Sequence, residues 1–252
     1  MLNDFTLIQH KFDDGIIIYP ISDVHLGAVE HCAAEWNAFC KMIQKDANKK
    51  IILAGDLINN ATRSSVSNVF EETMRPMEQK KRMVEYLSPI RDRILCAVSG
   101  NHERRSGKDA DDDPVYDIMS KLDLEDYYRQ NAAFMKVSCG KYPHGDYKST
   151  YTFLITHGAS EKRAESFNYV VEGLDCMVVG HTHKGKITKP ERIVIDTQNN
   201  RVSMKEVPVI VAVSWLRYGG YALQKMLLPA SVAKPQHIIL EGKCRKNLEV
   251  RW

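Results

Sequence analysis

The sequence predicts a layered α/β domain, on three observations. Short apolar runs alternate with longer amphipathic ones, each apolar run closes on a polar cluster, and 252 residues suffice to bury a full core. A composition of 44% hydrophobic and 27% charged residues is ordinary for a globular protein, and a net charge of +3 is too mild to imply nucleic acid by itself.

The strands come first. "IIIYPIS" (16–22), "KIILAG" (50–55), "RILCAVSG" (93–100), "TYTFLITHG" (150–158) and "DCMVVGH" (175–181) are rich in Ile and Val and bounded by polar residues or Gly, as buried strands are. Between the first two, "AAEWNAFCKMIQKDA" sets Trp36, Phe39, Met42 and Ile43 on one helical face. Between the next two, residues 66–89 carry Val69, Phe70, Met74, Met77, Met83, Val84 and Leu87, with Pro76 breaking or kinking the helix. "DADDDP" reads as a solvated loop in which Asp113 caps a short helix starting at Pro114. After residue 190 a hairpin turns at Asn199-Asn200 and more strand follows. The expected organisation is one domain over residues 1–215, with residues 216–252 as a small C-terminal elaboration of it.

The opening "MLNDFTLIQHKFDDG" does not read as a signal peptide, and no apolar run approaches the roughly 20 residues of a membrane helix. The six cysteines, at 32, 40, 96, 139, 176 and 244, form no Cys-x-x-Cys, which points to buried thiols in a reducing, cytoplasmic setting.

Chemistry gathers at the strand ends. "DVH" (23–25) follows the first strand, "GD" (55–56) the second and "GNHE" (100–103) the third; "THG" (156–158) and "GHTH" (180–183) follow the last two. Open α/β sheets collect ligands outside the carboxyl ends of their strands. His25, His102, His157, His181 and His183 all fall in these motifs, whereas His31 and His144 read as surface residues and His10 and His237 as remote from any site. Gly55, Gly100 and Gly180 precede them where the backbone must turn sharply.

The ordered set Asp-x-His, Gly-Asp, Gly-Asn-His-Glu, His, Gly-His-x-His resembles the calcineurin-like metallophosphoesterase superfamily over residues 21–183. The resemblance implies two mixed β-sheets sandwiched between helices, with a binuclear metal centre at their edge. It implies one metal held by Asp23, His25, Asp56 and His183, and a second held by Asp56, Asn101, His157 and His181, with Asp56 bridging. A carboxylate can bridge two cations, and this N/O set suits transition metals, Mn2+ first and Fe, Zn, Co or Ni as alternatives. Two such ions about 3.5–4 Å apart clamp a phosphate and share a hydroxide for in-line attack. The resemblance assigns His102 to the phosphate and leaving group, as general acid. For Glu103 two readings stand: it orients His102, or it caps a turn.

The motif style is similar to the nuclease and phosphodiesterase branch of the superfamily. Related protein phosphatases continue Gly-Asp into a motif with a phosphate-gripping arginine. "GDLINNATR" lacks that arginine, although Arg63 lies a few residues on. Arg104 and Arg105 follow "GNHE", and Lys184 and Lys186 follow "GHTH"; these cations either contact flanking phosphates or serve solubility. Trp215, Tyr218 and Tyr221 either stack bases or pack a C-terminal strand. The expected partner is a phosphoester, nucleic acid or a nucleotide, and no membrane. The alternatives are a phosphomonoesterase acting on protein or a small molecule, and a binding module that has lost catalysis.

Overall fold

The structure is a computed structural model that describes residues 5–62, 65, 69–158, 160–224, 226, 235–242 and 246–252, without the side chains of residues 161 and 221. Strands β1 (Leu7–Phe12) and β2 (Ile16–Ile21) precede helix α1 (Ala33–Gln44) and strand β3 (Lys49–Ala54). Helix α2 (Pro76–Leu87), strand β4 (Ile94–Val98) and helices α3 (Glu103–Ala110) and α4 (Pro114–Lys121) follow. The chain continues through β5 (Tyr128–Arg129), β6 (Ala132–Lys141), β7 (Tyr147–Thr156), α5 (Glu161–Phe167), β8 (Cys176–Val179) and β9 (Lys186–Thr188). It closes with β10 (Glu191–Asp196), β11 (Arg201–Glu206), β12 (Val209–Val211), α6 (Gly220–Gln224), β13 (His237–Leu240) and β14 (Leu248–Arg251).

Two six-stranded mixed sheets stack face to face, in the orders β14-β13-β2-β3-β4-β5 and β1-β6-β7-β8-β12-β9. In the first, β2, β3, β4 and β5 run parallel and the C-terminal strands β13 and β14 extend it antiparallel. Alternation along the strands sends one set of side chains between the sheets and the other outward. Ile18, Ile52 and Val98 thus meet Met135, Phe153, Ile155 and Val178 in the central layer. On the outer face of the first sheet, Ile51 and Leu53 pack against Trp36, Phe39 and Ile43 of α1, Met83 of α2 and Ile118 of α4. On the outer face of the second, Leu154, Met177 and Val209 take Ala164 of α5. Each such side chain contributes about 1.5–3 kcal/mol on full burial. The expected two-sheet sandwich with flanking helices is the observed one. Among the described residues no helix is long and apolar enough to cross a membrane.

Some local expectations change. Of the two readings of Pro76 the break holds and the kink does not: it starts α2 at the first helical position, where its missing N–H costs nothing, and the Glu78 carboxylate accepts the Arg75 N–H at 2.9 Å. Phe70 and Met77, two of the apolar residues of the stretch 66–89, are 96% and 78% exposed. Asp113 caps α4 as expected, accepting the Tyr116 N–H at 3.1 Å, and the hairpin turns between β10 and β11 with Asn200 at φ +49°. Strands β1, β6, β13 and β14 were not anticipated, because lysines and short length interrupt their alternation. Cys32, Cys40, Cys96, Cys139 and Cys176 are buried free thiols, and burial pushes Cys40, Cys96 and Cys139 up to about 12. Arg63, Cys244 and the Tyr221 side chain lie outside the described residues.

Far from the strand ends that carry the motifs, Asp175 ties three segments together. Its carboxylate, only 6% exposed, takes Lys205 of β11 at 2.9 Å, Lys246 at 2.5 Å and the Thr152 N–H of β7 at 2.9 Å. Burial raises its pKa, but Lys246 and Lys205 outweigh burial and hold it below the usual carboxylate range. A depressed folded pKa contributes stability that is present above the unfolded value of about 3.9 and lost as pH falls through the folded one. Asp175→Asn is therefore expected to cost about 1.5–3 kcal/mol at neutral pH, with the gap to wild type closing below about pH 4. Urea melts at pH 7 and pH 3 check this; an equal gap at both would refute the electrostatic origin.

Candidate metal centre

The motif-bearing ends of β2, β3 and β4 in one sheet and of β7 and β8 in the other arrive at a common edge. Parallel pairing carries on past the strands: Asp23 N–H donates to Gly55 O at 3.1 Å and His25 N–H to Asp56 O at 3.0 Å. Across the sandwich, the His181 N–H donates to Asp23 Oδ2 at 2.9 Å, joining the sheets at the site itself. Asp23, His25, Asp56, His181 and His183 all have φ between +46° and +73°, a region costly for side-chain-bearing residues. Strain at so many neighbouring positions is kept only where the surroundings over-determine it.

Gly55 has φ +86°, as its position before a turn requires. Gly100 and Gly180 do not adopt positive φ; their requirement is close approach. A Cβ at Gly100 would lie 2.0 Å from Asp56 Oδ1, and one at Gly180 would lie 1.9 Å from Ser22 Oγ.

The structure brings the seven expected donors into two adjoining groups. In the first, His183 Nε2 is 3.1 Å from Asp23 Oδ1, and His25 Nε2 is 3.7 Å from Asp23 Oδ1 and 3.2 Å from His183 Nε2. In the second, His157 Nε2 is 3.2 Å from Asp56 Oδ2 and 3.0 Å from Asn101 Oδ1, which lies 2.7 Å from His181 Nδ1. Asp56 joins them, its Oδ2 being also 3.7 Å from His25 Nε2. Asp23 Oδ1 is buried without a hydrogen-bond partner. Donors about 2.0–2.2 Å from one ion stand roughly 3–3.5 Å apart, so divalent metal ions fit these spacings and this N/O set. The His157 ring is fixed by an Nδ1–H bond to Ala54 O at 2.9 Å, which turns Nε2 inward.

Without cations the charges compensate one another. Burial would raise Asp23 and Asp56, yet His183 holds Asp23, and His157, His102 and His25 hold Asp56, far below the usual range. Burial lowers His157, but Asp56 and Asp23 outweigh it and bring the imidazole up to about 9. His102 goes the other way: burial first, then its neighbour His25, push it down to about 3. Its ring donates Nδ1–H to Asn59 O at 2.8 Å, and its Nε2 accepts from Arg105 at 2.9 Å.

Glu103 caps its own turn through the Gly100 N–H and reaches beyond it. It is buried, and its carboxylate accepts the backbone N–H groups of Asp56 (3.0 Å), Leu57 (2.6 Å), Ile58 (3.1 Å) and Gly100 (2.9 Å). It locks the "GD" loop to the "GNHE" loop. Sequence reasoning also missed Asn60, whose Nδ2 donates to His102 O at 2.9 Å and Ser106 Oγ at 2.9 Å. His31, expected on the surface, is half-buried, with Nδ1 bonded to Val24 O at 2.8 Å behind the site.

The expected cations divide. Arg105 faces the site through His102, whereas Arg104 donates to Ser99 O and Gln130 O, both at 3.2 Å, instead of reaching out. Lys184 and Lys186 are exposed just beyond His183, with Lys186 3.9 Å from Glu165. Trp215 is core, packed edge-on against Trp36 at 5.1 Å; Tyr218 is 40% exposed.

A two-sheet sandwich whose strand ends gather these donors has the makings of a metal-dependent phosphoesterase. The chain belongs to the calcineurin-like phosphoesterase family, which matches residues 18–185. Among solved structures it is similar to the calcineurin-like phosphoesterase YfkN from Bacillus subtilis, at 11% identity over 94% of this chain and 90% of that one, with a TM-score of 0.41. It is similar also to a zinc-complexed Vps29 from Entamoeba histolytica, at 9% identity, 94% and 97% coverage and a TM-score of 0.47. A metallophosphoesterase from Sphaerobacter thermophilus shares 16% identity, with 90% and 84% coverage and a TM-score of 0.40. Likenesses this distant bear on neither substrate nor metal identity. No curated protein matches the chain by sequence.

Proposed function

We propose that the protein is a binuclear-metal-dependent phosphodiesterase acting on nucleic acid or a nucleotide. The observation that carries this reading is the openness of the donor cluster: Asn101 is exposed, and His181 and His183 are only half-buried. A polymer must continue on both sides of its scissile phosphate, and a surface-level site lets it pass. Asp23, His25, Asp56 and His183 would hold one ion, and Asp56, Asn101, His157 and His181 the other, Mn2+ being the first choice. Ions held there would neutralise the phosphate and supply an activated water. His102 donates a proton to the leaving oxygen from Nε2. Arg105 occupies that nitrogen in the free chain, but a phosphate oxygen is the better acceptor for a guanidinium. A bound phosphate therefore draws Arg105 off His102, and its negative charge favours the protonated ring. Lys184 and Lys186 track the flanking backbone.

Arg105 also favours a second reading. The phosphatase-type arginine is missing from "GDLINNATR", yet Arg105 puts a guanidinium beside His102, where it can grip a monoester dianion.

A manganese-supplemented panel separates the two: a phosphodiester chromogen, a phosphomonoester chromogen, and single- and double-stranded DNA. The diester and DNA are expected to be cleaved faster, and chelation to abolish all activity. His102→Ala is expected to keep its metal and lose about 10²-fold in turnover. Strong preference for the monoester with no cleavage of DNA or RNA would replace the first reading by the second.

A further inference from the structure

Trp252 follows directly on β14, on the same edge of the sandwich as the donor cluster. Strand β2 runs toward the site, β13 is antiparallel to it and β14 is antiparallel to β13, so β14 runs toward the site again. The far edge of the indole reaches Gly185, two residues after His183: a Cβ at Gly185 would stand 3.0 Å from Trp252 Cη2, 2.9 Å from Gln236 Nε2 and 2.5 Å from Val213 Cγ1. Gln236 is itself buried, donating to Val211 O at 2.8 Å, so the surface beneath the ring edge is firm. Trp252 is 56% exposed, and among the described residues no ring or cation engages it, whereas Trp36 and Trp215 are 0% and 3% exposed.

An indole that meets the protein at Gly185 and is still more than half exposed is organised before any ligand arrives. Two peptide units separate Gly185 from His183, so their Cα atoms lie at most roughly 7.6 Å apart. The exposed ammonium of Lys184 sits between them in sequence. Aromatic ring, cation and an imidazole of the donor cluster that would hold the scissile phosphate's metal therefore follow one another at nucleotide scale. We propose that Trp252 is the stacking platform for the nucleobase next to the scissile phosphate, with Lys184 on the intervening backbone. This subsite rests on the phosphodiesterase reading and gives it a substrate class: a nucleotide with an unpaired base, hence single-stranded in preference to duplex nucleic acid.

Because the other two tryptophans are buried, Trp252 reports on its own occupancy. Manganese-loaded enzyme titrated with a cleavage-resistant phosphorothioate oligothymidylate is expected to lose the solvent-exposed component of its tryptophan fluorescence. Trp252→Ala is expected to abolish that quenching and raise KM for an unmodified oligothymidylate about ten-fold or more. Trp252→Phe, which keeps a π-face, is expected to restore most of the KM. No quenching in a wild type that cleaves oligothymidylate, or an unchanged KM in Trp252→Ala, overturns the stacking site and leaves the phosphodiesterase reading intact. A wild type that hydrolyses only monoesters overturns both.

Discussion

Asp56→Asn is expected to empty both metal positions together and to abolish turnover. The Asp56 carboxylate is the group shared between the two donor groups: Oδ2 stands 3.2 Å from His157 Nε2 and 3.7 Å from His25 Nε2, while Oδ1 accepts the His102 N–H at 2.8 Å. An asparagine keeps one oxygen, so it can hold the His102 backbone or face the metals, but not both. It also removes a negative charge from a site of which imidazoles are the majority. Loss of a partner one shell further out already costs about 10–100-fold in metal affinity, so loss of the bridge should cost at least about 10²-fold at each position. Elemental analysis of the purified variant, with activity followed against added manganese, reads this directly. Two ions per chain and wild-type turnover in the variant would remove Asp56 from the bridge.

Glu103→Ala is expected to be the most destabilising single change near the site. It leaves four buried backbone N–H groups, those of Asp56, Leu57, Ile58 and Gly100, without their acceptor. Each orphaned buried donor costs about 1–3 kcal/mol, so even with relaxation the loss should exceed about 3 kcal/mol. For a chain of this length that lowers Tm by roughly 6–12 °C. Glu103→Gln keeps the shape but turns an NH2 toward backbone N–H groups, so it should be intermediate. Burial and the Asp56 charge hold Glu103 up at about 7, against the pull of those backbone donors. Because the clamp also sets the distance between the Asp56 and Asn101 loops, metal content should fall with Tm. Calorimetry showing wild-type Tm in Glu103→Ala would mean that water replaces the carboxylate without loss.

The residue types of the site were legible because its chemistry is restrictive. Ions of this class need carboxylate, imidazole and amide donors, and strand ends deliver them, so the clusters "DVH", "GD", "GNHE", "THG" and "GHTH" stood out from apolar runs that stop abruptly, and the family resemblance implied Asp23, His25, Asp56, Asn101, His157, His181 and His183 within them. The apolar periodicity of "KIILAG" and "DCMVVGH" was equally plain, since strands buried on both faces leave no polar positions. Strand β6 was not, because Lys136 and Lys141 interrupt its apolar run, and neither were β13 and β14, four residues each. Cations were the hardest to place: Arg104 and Arg105 are adjacent in sequence, yet one turns to Ser99 and Gln130 and the other to His102.

The sequence by itself determined the α/β layering, which follows from local pattern, and placed polar clusters at the strand ends, from which the family resemblance picked out the expected donors. Only the tertiary structure decided which donors face one another, that Glu103 braces two loops, that Arg105 stands at His102, and that Trp252 lies on Gly185. The bond from His181 N–H to Asp23 links residues 158 positions apart. Such a contact exists only once both sheets are stacked, and the phase of α3 decides which of its two adjacent arginines meets His102. Local periodicity encodes which face is apolar; it carries no record of what the polar face will meet.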